Sequence, residues 1–172
     1  DILVPELQFP INTVPQSLGC QLFLLPNFSF ITYTMDTGRY TITNVKFQNL
    51  AILPDANDET DIVAGTDANT ANQKWNVTLL SGGNKKYTIK NHGFSNYAAC
   101  ETRAEAGATV SGRSRNQQWI IKETRTKGQF TISPSDADLV WGLADGEIGT
   151  PITLASTTTD TKNQWIFAKA DA

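Results

Sequence analysis

The sequence predicts an all-β fold in which one unit of about 45 residues occurs three times. A Trp preceded by Asn and Gln closes each unit, in the segments ANQKWNV (71–77), RNQQWII (115–121) and KNQWIFA (162–168). An aromatic-Thr-Ile triplet opens each unit, at Tyr40, Tyr87 and Phe130. Apolar residues follow helical spacing over no stretch of about ten residues, so the repeated elements are expected to be short strands.

The first unit runs from Tyr40 to Trp75 and has the pattern of strands joined by turns. Tyr40 and Ile42 are two residues apart, as are Gln73 and Trp75, so each pair is expected to share one face of a strand. Between these pairs, the turn-rich segment LPDANDET precedes the β-rich segment TDIVAG. We therefore expect the unit to begin and end in a strand, with further strands between.

The second and third units repeat this order at nearly constant spacing. Their opening aromatics follow at intervals of 47 and 43 residues, and their closing Trp residues at 44 and 46. The third closing motif differs, because Gln164 directly precedes Trp165. Strand alternation then gives the inward position to Asn163 and the place of the preceding Asn to Lys162. This copy contains either a substitution or a one-residue deletion.

Three units of about four strands each predict a β-trefoil, because a propeller needs at least about four blades. Equivalent Trp residues on three related strands would meet near a pseudo-threefold axis and fill the centre of the barrel. A Gln on the same face can satisfy backbone groups where the chain turns. The interpretation as core residues applies to Gln73, Trp75, Gln117, Trp119 and Trp165.

Composition argues against several classes of function. The 172 residues carry 14 Lys and Arg against 17 Asp and Glu, with no basic run of the kind that nucleic-acid binders show. No segment approaches the ~18 apolar residues of a membrane span. Cys/His clusters with metal-ligand spacing and Gly-rich phosphate loops are absent, so neither a metal nor a cofactor is expected. The single histidine, His92, is interpreted as a solvated loop residue, and no enzymatic activity is expected.

The closing motif resembles the Gln-x-Trp motif of the ricin-B type β-trefoil lectins. The opening segment GRYTITNVKFQN (38–49) is similar to the start of the small mushroom lectins of that family. The resemblance covers residues 36–172 and implies non-catalytic carbohydrate binding of a fungal defence type. It implies glycans or glycoproteins as partners, pairing into a homodimer, and a cytoplasmic location with secretion as the alternative.

The resemblance also implies where a sugar would bind. The Asn before the Gln would hold a sugar hydroxyl, together with an Asp early in the unit and an aromatic ring between them. Leu53 stands near the expected place of that Asp in the first unit, so at least two of the three sites are expected to be degenerate. Trp141 is interpreted either as a stacking platform for the sugar or as a half-buried core residue. The candidate residues are Asp138, Trp141, Asp145 and Asn163 in the third unit, Asn72 and Asp55 in the first, and Asn116 in the second.

An alternative function follows from the fold, because β-trefoils also include inhibitors of serine and cysteine proteases that present an exposed loop. The segments TRAEAGATVSGRSRN and ETRTKGQ are predicted loops with basic side chains. A basic side chain there would fill a trypsin-type specificity pocket, whereas the simpler interpretation is a solvated loop charge. The candidates for the inhibitory loop are Arg113, Arg115 and Arg125.

Residues 1–35 are expected to form an extended apolar arm outside the trefoil. The first 34 residues hold four prolines and two charged side chains, and Met35 stands where a native start would be expected. Packing on the trefoil, self-association and an incorrectly assigned upstream sequence are the three open explanations. Cys20 and Cys100 form either one disulfide bridge or two buried thiols.

Overall fold

The protein is described by a computed structural model that covers residues 34–82 and 84–170. Within this part of the chain there are thirteen strands and two 3₁₀ helices. The strands are β1 Gly38–Asn44, β2 Leu50–Ile52, β3 Thr60–Asp61, β4 Val63–Gly65, β5 Trp75–Leu79, β6 Lys86–Asn91, β7 Tyr97–Ala99, β8 Ser111–Arg113, β9 Trp119–Glu123, β10 Phe130–Pro134, β11 Val140–Leu143, β12 Ile152–Ala155 and β13 Trp165–Lys169. The 3₁₀ helices are Ala71–Gln73 and Thr161–Asn163. The predicted all-β class is confirmed.

Six strands close into an antiparallel barrel to which each unit contributes its first and last strand. β1 pairs with β5 and β13, β6 pairs with β5 and β9, and β10 pairs with β9 and β13. Closure leaves none of these six strands with an unpaired edge. In β1 the buried residues are Tyr40, Ile42 and Asn44, with half-exposed residues between them, which is the alternation that the sequence predicts.

The opening aromatic residue and the closing Trp of each unit are paired on neighbouring strands of the barrel. Tyr40 pairs with Trp75, and Tyr87 pairs with Trp119. In the third unit, Phe130 is the partner of the closing Trp. The opening aromatic and the closing Trp therefore recur together because each pair joins the two barrel strands of its own unit.

Three hairpins cap one end of the barrel and meet at a pseudo-threefold axis. They are formed by β2 with β4, β7 with β8, and β11 with β12. The amide of Ile62 donates to the carbonyl of Val110 at 2.9 Å, and Val110 donates to Ile152 at 2.9 Å. Ile152 donates back to Ile62 at 2.8 Å, which closes a triangle of backbone hydrogen bonds among fully buried residues. The β-trefoil prediction is confirmed.

The closing Trp residues join the barrel to this cap. Each indole Nε1 donates to a backbone carbonyl in the hairpin of its own unit. The donor and acceptor pairs are Trp75 with Ala51 at 2.9 Å, Trp119 with Ala98 at 2.8 Å, and Trp165 with Trp141 at 2.9 Å. All four Trp side chains have no exposed surface. The interpretation of the closing Trp residues as core is confirmed.

Trp141 occupies the position that Ala51 and Ala98 hold in the other hairpins, and its predicted role as a sugar-stacking platform is wrong. Its ring is fully buried, as are the other residues of β11. The ring packs edge-on against Trp119, with centroids 5.2 Å apart, and against Trp165 at 6.2 Å. Such contacts stabilise a core, and they leave no face for a ligand.

Met35 belongs to the trefoil core, although the sequence places it in the preceding arm. Its side chain is 9% exposed, and its backbone amide donates to the Tyr87 hydroxyl at 3.0 Å. The trefoil therefore includes at least one residue before position 36. The predictions for residues 1–33, including Cys20, lie outside the described residues.

The indole of Trp141 and that of Trp165 differ in one testable respect. Nε1 of Trp141 has no hydrogen-bond partner among the described residues, whereas Nε1 of Trp165 donates to a buried carbonyl. Substitution by Phe creates a cavity at either position, but only Trp165→Phe also leaves a carbonyl unpaired. We expect Trp165→Phe to lower the free energy of unfolding by about 1 kcal/mol more than Trp141→Phe does. Denaturant unfolding measures both, and Trp119→Phe should match Trp165→Phe. An equal or larger loss in Trp141→Phe would contradict the assignment.

Candidate functional site

The segments before the closing Trp residues bring Asn72, Asn116 and Lys162 to equivalent positions. Two of them share a support from the neighbouring barrel strand. Asn91 Nδ2 donates to the carbonyl of Asn72 at 2.9 Å, and Asn44 Nδ2 donates to the carbonyl of Lys162 at 2.8 Å. Both segments also form a 3₁₀ helix. In each, the side-chain amide of the neighbouring strand therefore fixes the loop that precedes the closing Trp.

The second unit lacks this support. Pro134 pairs with Trp119 at the position that Asn44 and Asn91 hold opposite the other closing Trp residues. Proline has no side-chain amide that could reach the loop. The described segment directly before Trp119 also forms no 3₁₀ helix. Asn116 therefore lies exposed on a loop without this tether.

Both polar atoms of the Asn72 side-chain amide form hydrogen bonds within the protein. Nδ2 donates to the carbonyl of Leu53 at 3.2 Å, and Oδ1 accepts from Thr70 Oγ1 at 2.5 Å. The side chain is half-buried. A sugar hydroxyl at Asn72 would have to replace one of these hydrogen bonds, which reduces the net binding free energy of the predicted contact.

Asn163 is a core residue, and its predicted sugar contact is wrong. Its side chain is 1% exposed, and Nδ2 donates to the carbonyl of Thr157 at 2.7 Å. Asn163 ends its 3₁₀ helix two residues before Trp165, as Gln73 does before Trp75. The third closing motif therefore contains a substitution of Gln by Asn and no deletion.

Asp55 and Asp145 occupy equivalent turns of the first and third hairpins. Asp55 Oδ1 accepts from Thr60 Oγ1 at 2.6 Å and from the amide of Asn57 at 2.8 Å. Asp145 Oδ1 accepts from Thr150 Oγ1 at 2.5 Å and from the backbone amide two residues further on. The Thr hydroxyl is the main cause that lowers the pKa of each carboxyl below its ordinary value of 3.8. Both carboxylates therefore stabilise a turn.

The third-unit candidates do not come together. Asp138 lies before β11 and Asp145 after it, beyond opposite ends of the strand, with the buried Trp141 between them. The four residues of β11 alone separate the two turns by roughly 13 Å at about 3.3 Å per residue. The predicted site around Asp138 and Trp141 is therefore wrong as a constellation, although Asp138 itself is exposed.

A surface groove that runs along β9 and β10 is a further candidate site. It consists of two adjoining clefts, of about 600 Å³ and about 730 Å³, which share Lys122, Thr131 and Thr158. We call it the β9–β10 groove. Its lining residues are Ile120, Lys122, Glu123, Thr124, Arg125, Thr126, Gln129, Thr131, Ser133, Pro134, Ser135, Asp136, Ala137, Asp138, Val140, Ser156, Thr158, Thr159, Thr161 and Gln164.

Hydrogen bonds hold the walls of the β9–β10 groove in place. Gln164 Nε2 donates to the carbonyl of Thr158 at 3.0 Å and so fixes the loop after β12. In the turn between β9 and β10, the amide of Thr124 donates to the carbonyl of Gln129 at 2.8 Å. The amide of Gly128 donates to a carboxylate oxygen of the same turn at 2.7 Å. The groove is therefore pre-formed, which reduces the entropy lost when a ligand binds.

Sequence reasoning missed the groove, although it selected Asp138 and Arg125 for other reasons. The lining comes from β9, β10 and the loop after β12, which are far apart in the sequence. Most of its polar residues are Thr and Ser, which form no recognisable motif. The only signal was the high Thr content of the segment STTTDT (156–161), which is equally typical of an ordinary loop.

The inhibitory-loop candidates differ in availability. The Arg113 side chain is 12% exposed and pairs with Glu59 at 2.9 Å and Glu101 at 2.5 Å. An arginine committed in this way cannot enter a protease pocket, so that prediction is wrong for Arg113. Arg115 donates to the carbonyl of Cys100. Of the three candidates, only Arg125 is exposed on a turn and without a side-chain hydrogen bond among the described residues.

Cys100 carries a buried free thiol. Its Sγ accepts a hydrogen bond from Gln117 Nε2 at 3.1 Å, and Gln117 Oε1 accepts from the Cys100 amide at 2.8 Å. Burial raises the pKa of the thiol above its ordinary value of 9.0. The side chain thus serves as the partner of the second-unit Gln, which confirms the structural interpretation of Gln117.

No group of three or more His, Cys, Asp or Glu side chains is arranged to hold a metal ion in the described part of the chain. None of the helices among these residues has the length and apolar character of a membrane span.

The contact between Gly142 and Asn163 gives a stability prediction. A Cβ at position 142 would lie 2.3 Å from Asn163 Oδ1, and the hydrogen bond to Thr157 prevents Asn163 from moving away freely. We expect Gly142→Ala to lower the free energy of unfolding by roughly 1–3 kcal/mol. In Gly142→Ala/Asn163→Ala the clash is absent, so denaturant unfolding should show a smaller loss than the sum of the single variants. Strict additivity would contradict the contact.

The lowered pKa values of Asp55 and Asp145 give a pH prediction. Their turn hydrogen bonds favour the ionised form in the folded protein. They therefore contribute stability above pH 3.8 and lose it as the pH falls through the lowered pKa. The amide NMR signals of Asn57 and Glu147 should shift on acid titration with midpoints below 3.8. Thr150→Val should raise the midpoint at Glu147 and leave that at Asn57 unchanged. Midpoints at or above the ordinary value would contradict the bonds.

Comparison with known proteins identifies the domain type. Residues 71–155 match a protein family described as a ricin-type beta-trefoil lectin domain-like family. No curated protein is detectably similar to the chain in sequence. The match includes the closing motif of the first unit, the complete second unit and the third unit as far as β12, and it ends before the closing motif of the third unit.

Solved structures agree with this family match. A ricin B-like lectin from Macrolepiota procera, in complex with lactose, has a TM-score of 0.71 and 20% identity, covering 81% of this chain and 100% of its own. The Rhizoctonia solani agglutinin has a TM-score of 0.74 and 22% identity over 80% and 99% of the two chains. The designed threefold-symmetric protein ThreeFoil reaches 0.70 at 16% identity over 77% and 99%. By closing motif, family match and fold, the chain is therefore a β-trefoil that resembles the ricin-B type lectins.

Proposed function

We propose that this chain binds carbohydrate without catalysis and that its binding surface is the β9–β10 groove. The observation that carries the proposal is the combination of an apolar floor with hydroxyl-bearing walls in one pre-formed groove. The family match and the similar structures support the class of function, since one of them is a lectin that holds lactose and another is named an agglutinin.

The floor of the groove suits the C–H face of a sugar ring. Ile120, Pro134, Ala137 and Val140 line one cleft, and of these Ile120 and Ala137 are partly exposed and can contact a ligand, whereas Pro134 and Val140 are buried. Pyranose rings present such an apolar face beside their hydroxyl groups. Contact with aliphatic side chains removes that face from water, at a gain of roughly 25 cal/mol for each Å² buried.

The walls of the groove suit the hydroxyl groups. Ser133, Ser156 and Thr158 each offer a hydroxyl that can donate one hydrogen bond and accept two, whereas the hydroxyl of the buried Thr131 donates to the carbonyl of Lys122 at 3.4 Å. Fixed hydroxyl positions on a sugar are recognised by side chains that are themselves held in place. The bonds that fix Thr158 and the β9–β10 turn provide this rigidity.

Binding at such an open groove is expected to be weak at each site. Pairing of protomers would place two grooves on one particle and raise the avidity for surfaces that carry many glycans. Glycans and glycoproteins are the proposed partners, and a fungal defence role in the cytoplasm is part of the same proposal.

A glycan array with wild type and two Trp variants tests the proposal. Ser156→Trp places an indole in the groove, whereas Thr78→Trp adds one on exposed β5 outside it. We expect wild type and Thr78→Trp to bind the same glycans, and Ser156→Trp to lose at least about tenfold in affinity, which corresponds to 1.4 kcal/mol. Unfolding midpoints check that both variants fold.

Two outcomes would overturn the proposal. Absence of binding to every neutral and acidic glycan would remove the function, and undiminished binding by folded Ser156→Trp would remove the groove as its site. Residual-activity assays with a trypsin-like and a papain-like protease address the alternative function. Inhibition that disappears in Arg125→Ala would replace the lectin proposal by an inhibitor.

A further inference from the structure

Charge is unevenly distributed along the β9–β10 groove. Arg125 lies in the turn before β10, and Asp136 and Asp138 lie in the turn after it. The five residues of β10 separate the two turns by roughly 16 Å at about 3.3 Å per residue. Lys122 lines both clefts and pairs with Thr131 at the start of β10, on the side of the turn that carries Arg125. The groove therefore has one basic and one acidic end.

The two cations at the basic end have no ion-pair partner among the described residues. Lys122 and Arg125 are exposed and belong to none of the salt bridges of this region. The neighbouring acidic side chain, Glu123, directs Oε1 to the amide of Gly128 at 2.7 Å. Glu123 also lines this cleft, but its carboxylate is bonded to the backbone of the turn, and the two cations leave the basic end with a net positive charge.

We infer that the β9–β10 groove binds an acidic saccharide whose carboxylate lies against Lys122 and Arg125, an inference that rests on the proposed function. The guanidinium of Arg125 offers a planar pair of donors that matches a carboxylate, and Lys122 adds a second charge. Beside them, Thr124, Thr126 and Thr161 supply hydroxyl groups for the remainder of the same sugar. The acidic residue of the ligand therefore occupies the cleft of about 730 Å³.

The far end of the groove restricts the ligand to a single anionic residue. Asp136 and Asp138 repel a second negative charge, so a polyanion such as a nucleic acid or a heavily sulfated glycan would gain at one end and lose at the other. The net charge of −3 for the whole chain acts in the same direction. Neutral sugar residues suit the cleft beside Ile120 and Ala137, which are partly exposed apolar side chains. The structure thus selects an oligosaccharide with one terminal acid and a neutral remainder.

Titration calorimetry with a matched pair of ligands tests this inference. The first is an oligosaccharide that ends in a uronic or sialic acid, and the second is the same oligosaccharide with that carboxylate reduced to an alcohol. We expect the acid to bind roughly 10- to 100-fold more tightly than the alcohol, as charge-assisted hydrogen bonds commonly provide. Lys122→Ala and Arg125→Ala should each remove most of this preference. Lys169→Ala is the matched control, because it deletes an exposed cation on β13 outside the groove.

The outcomes separate this inference from the proposed function. Amide NMR shifts of Thr131 and Thr158 report occupation of the groove, whichever ligand is used. Equal binding of acid and alcohol, with these shifts present, would overturn the charge selection and leave carbohydrate binding standing. An acid preference that survives both Lys122→Ala and Arg125→Ala would overturn the assigned residues. Failure of both ligands and of every array glycan to bind would overturn the proposed function itself.

Discussion

The bond from each closing Trp indole to a hairpin carbonyl is the interaction on which the rest of the molecule depends. Each of these three bonds, at 2.8–2.9 Å, joins the barrel to the cap within one unit. The triangle through Ile62, Val110 and Ile152 then joins the three caps to one another. The closed barrel fixes the positions of the three indoles, and their hydrogen bonds fix the hairpins relative to the barrel. The surface loops connect these two parts and are positioned by both.

The candidate site lies where the threefold repetition breaks down. Two barrel strands carry an Asn that fixes the neighbouring loop, and the third carries Pro134, which lies in the β9–β10 groove. The equivalent loops in the first and third units are tied into 3₁₀ helices whose polar groups are largely satisfied internally. The loop that lacks this support contains Asn116 and lies outside the β9–β10 groove, so Pro134 is the residue that connects the loss of symmetry with the groove. Function is thus better sought in the differences between the units than in what they share.

The sequence predicts the fold well because the repeated residues are those that make the core. Gln73 and Trp75 recur as a pair since both are buried and both bond to backbone groups that exist in every unit. Even the irregular third motif follows strand alternation, with Asn163 in the inward place of the Gln. The spacing of apolar residues and the hydrogen-bonding groups of each side chain are local properties, so the amino-acid sequence shows them directly.

The site was predicted less well because it depends on which side chains lie at the surface together. Trp141 is the one Trp outside the closing motifs, and nothing in its neighbours along the chain shows that Trp119 and Trp165 cover it. The β9–β10 groove joins residues from β9, β10 and the loop after β12, whose proximity follows only from barrel closure. Thr and Ser give no spacing signal for such a groove.

The position of Trp141 has a consequence for the history of the three units. One indole fills the space near the axis to which the other two units contribute only the methyl groups of Ala51 and Ala98. Three copies of the third unit would crowd three indoles into room for one, and three copies of the first would leave a void. This layer of the core is therefore asymmetric, with Trp141 packed against Trp119 of the second unit and Trp165 of its own unit. The units have become interdependent parts of one molecule, and a change in one now constrains what the other two can accept.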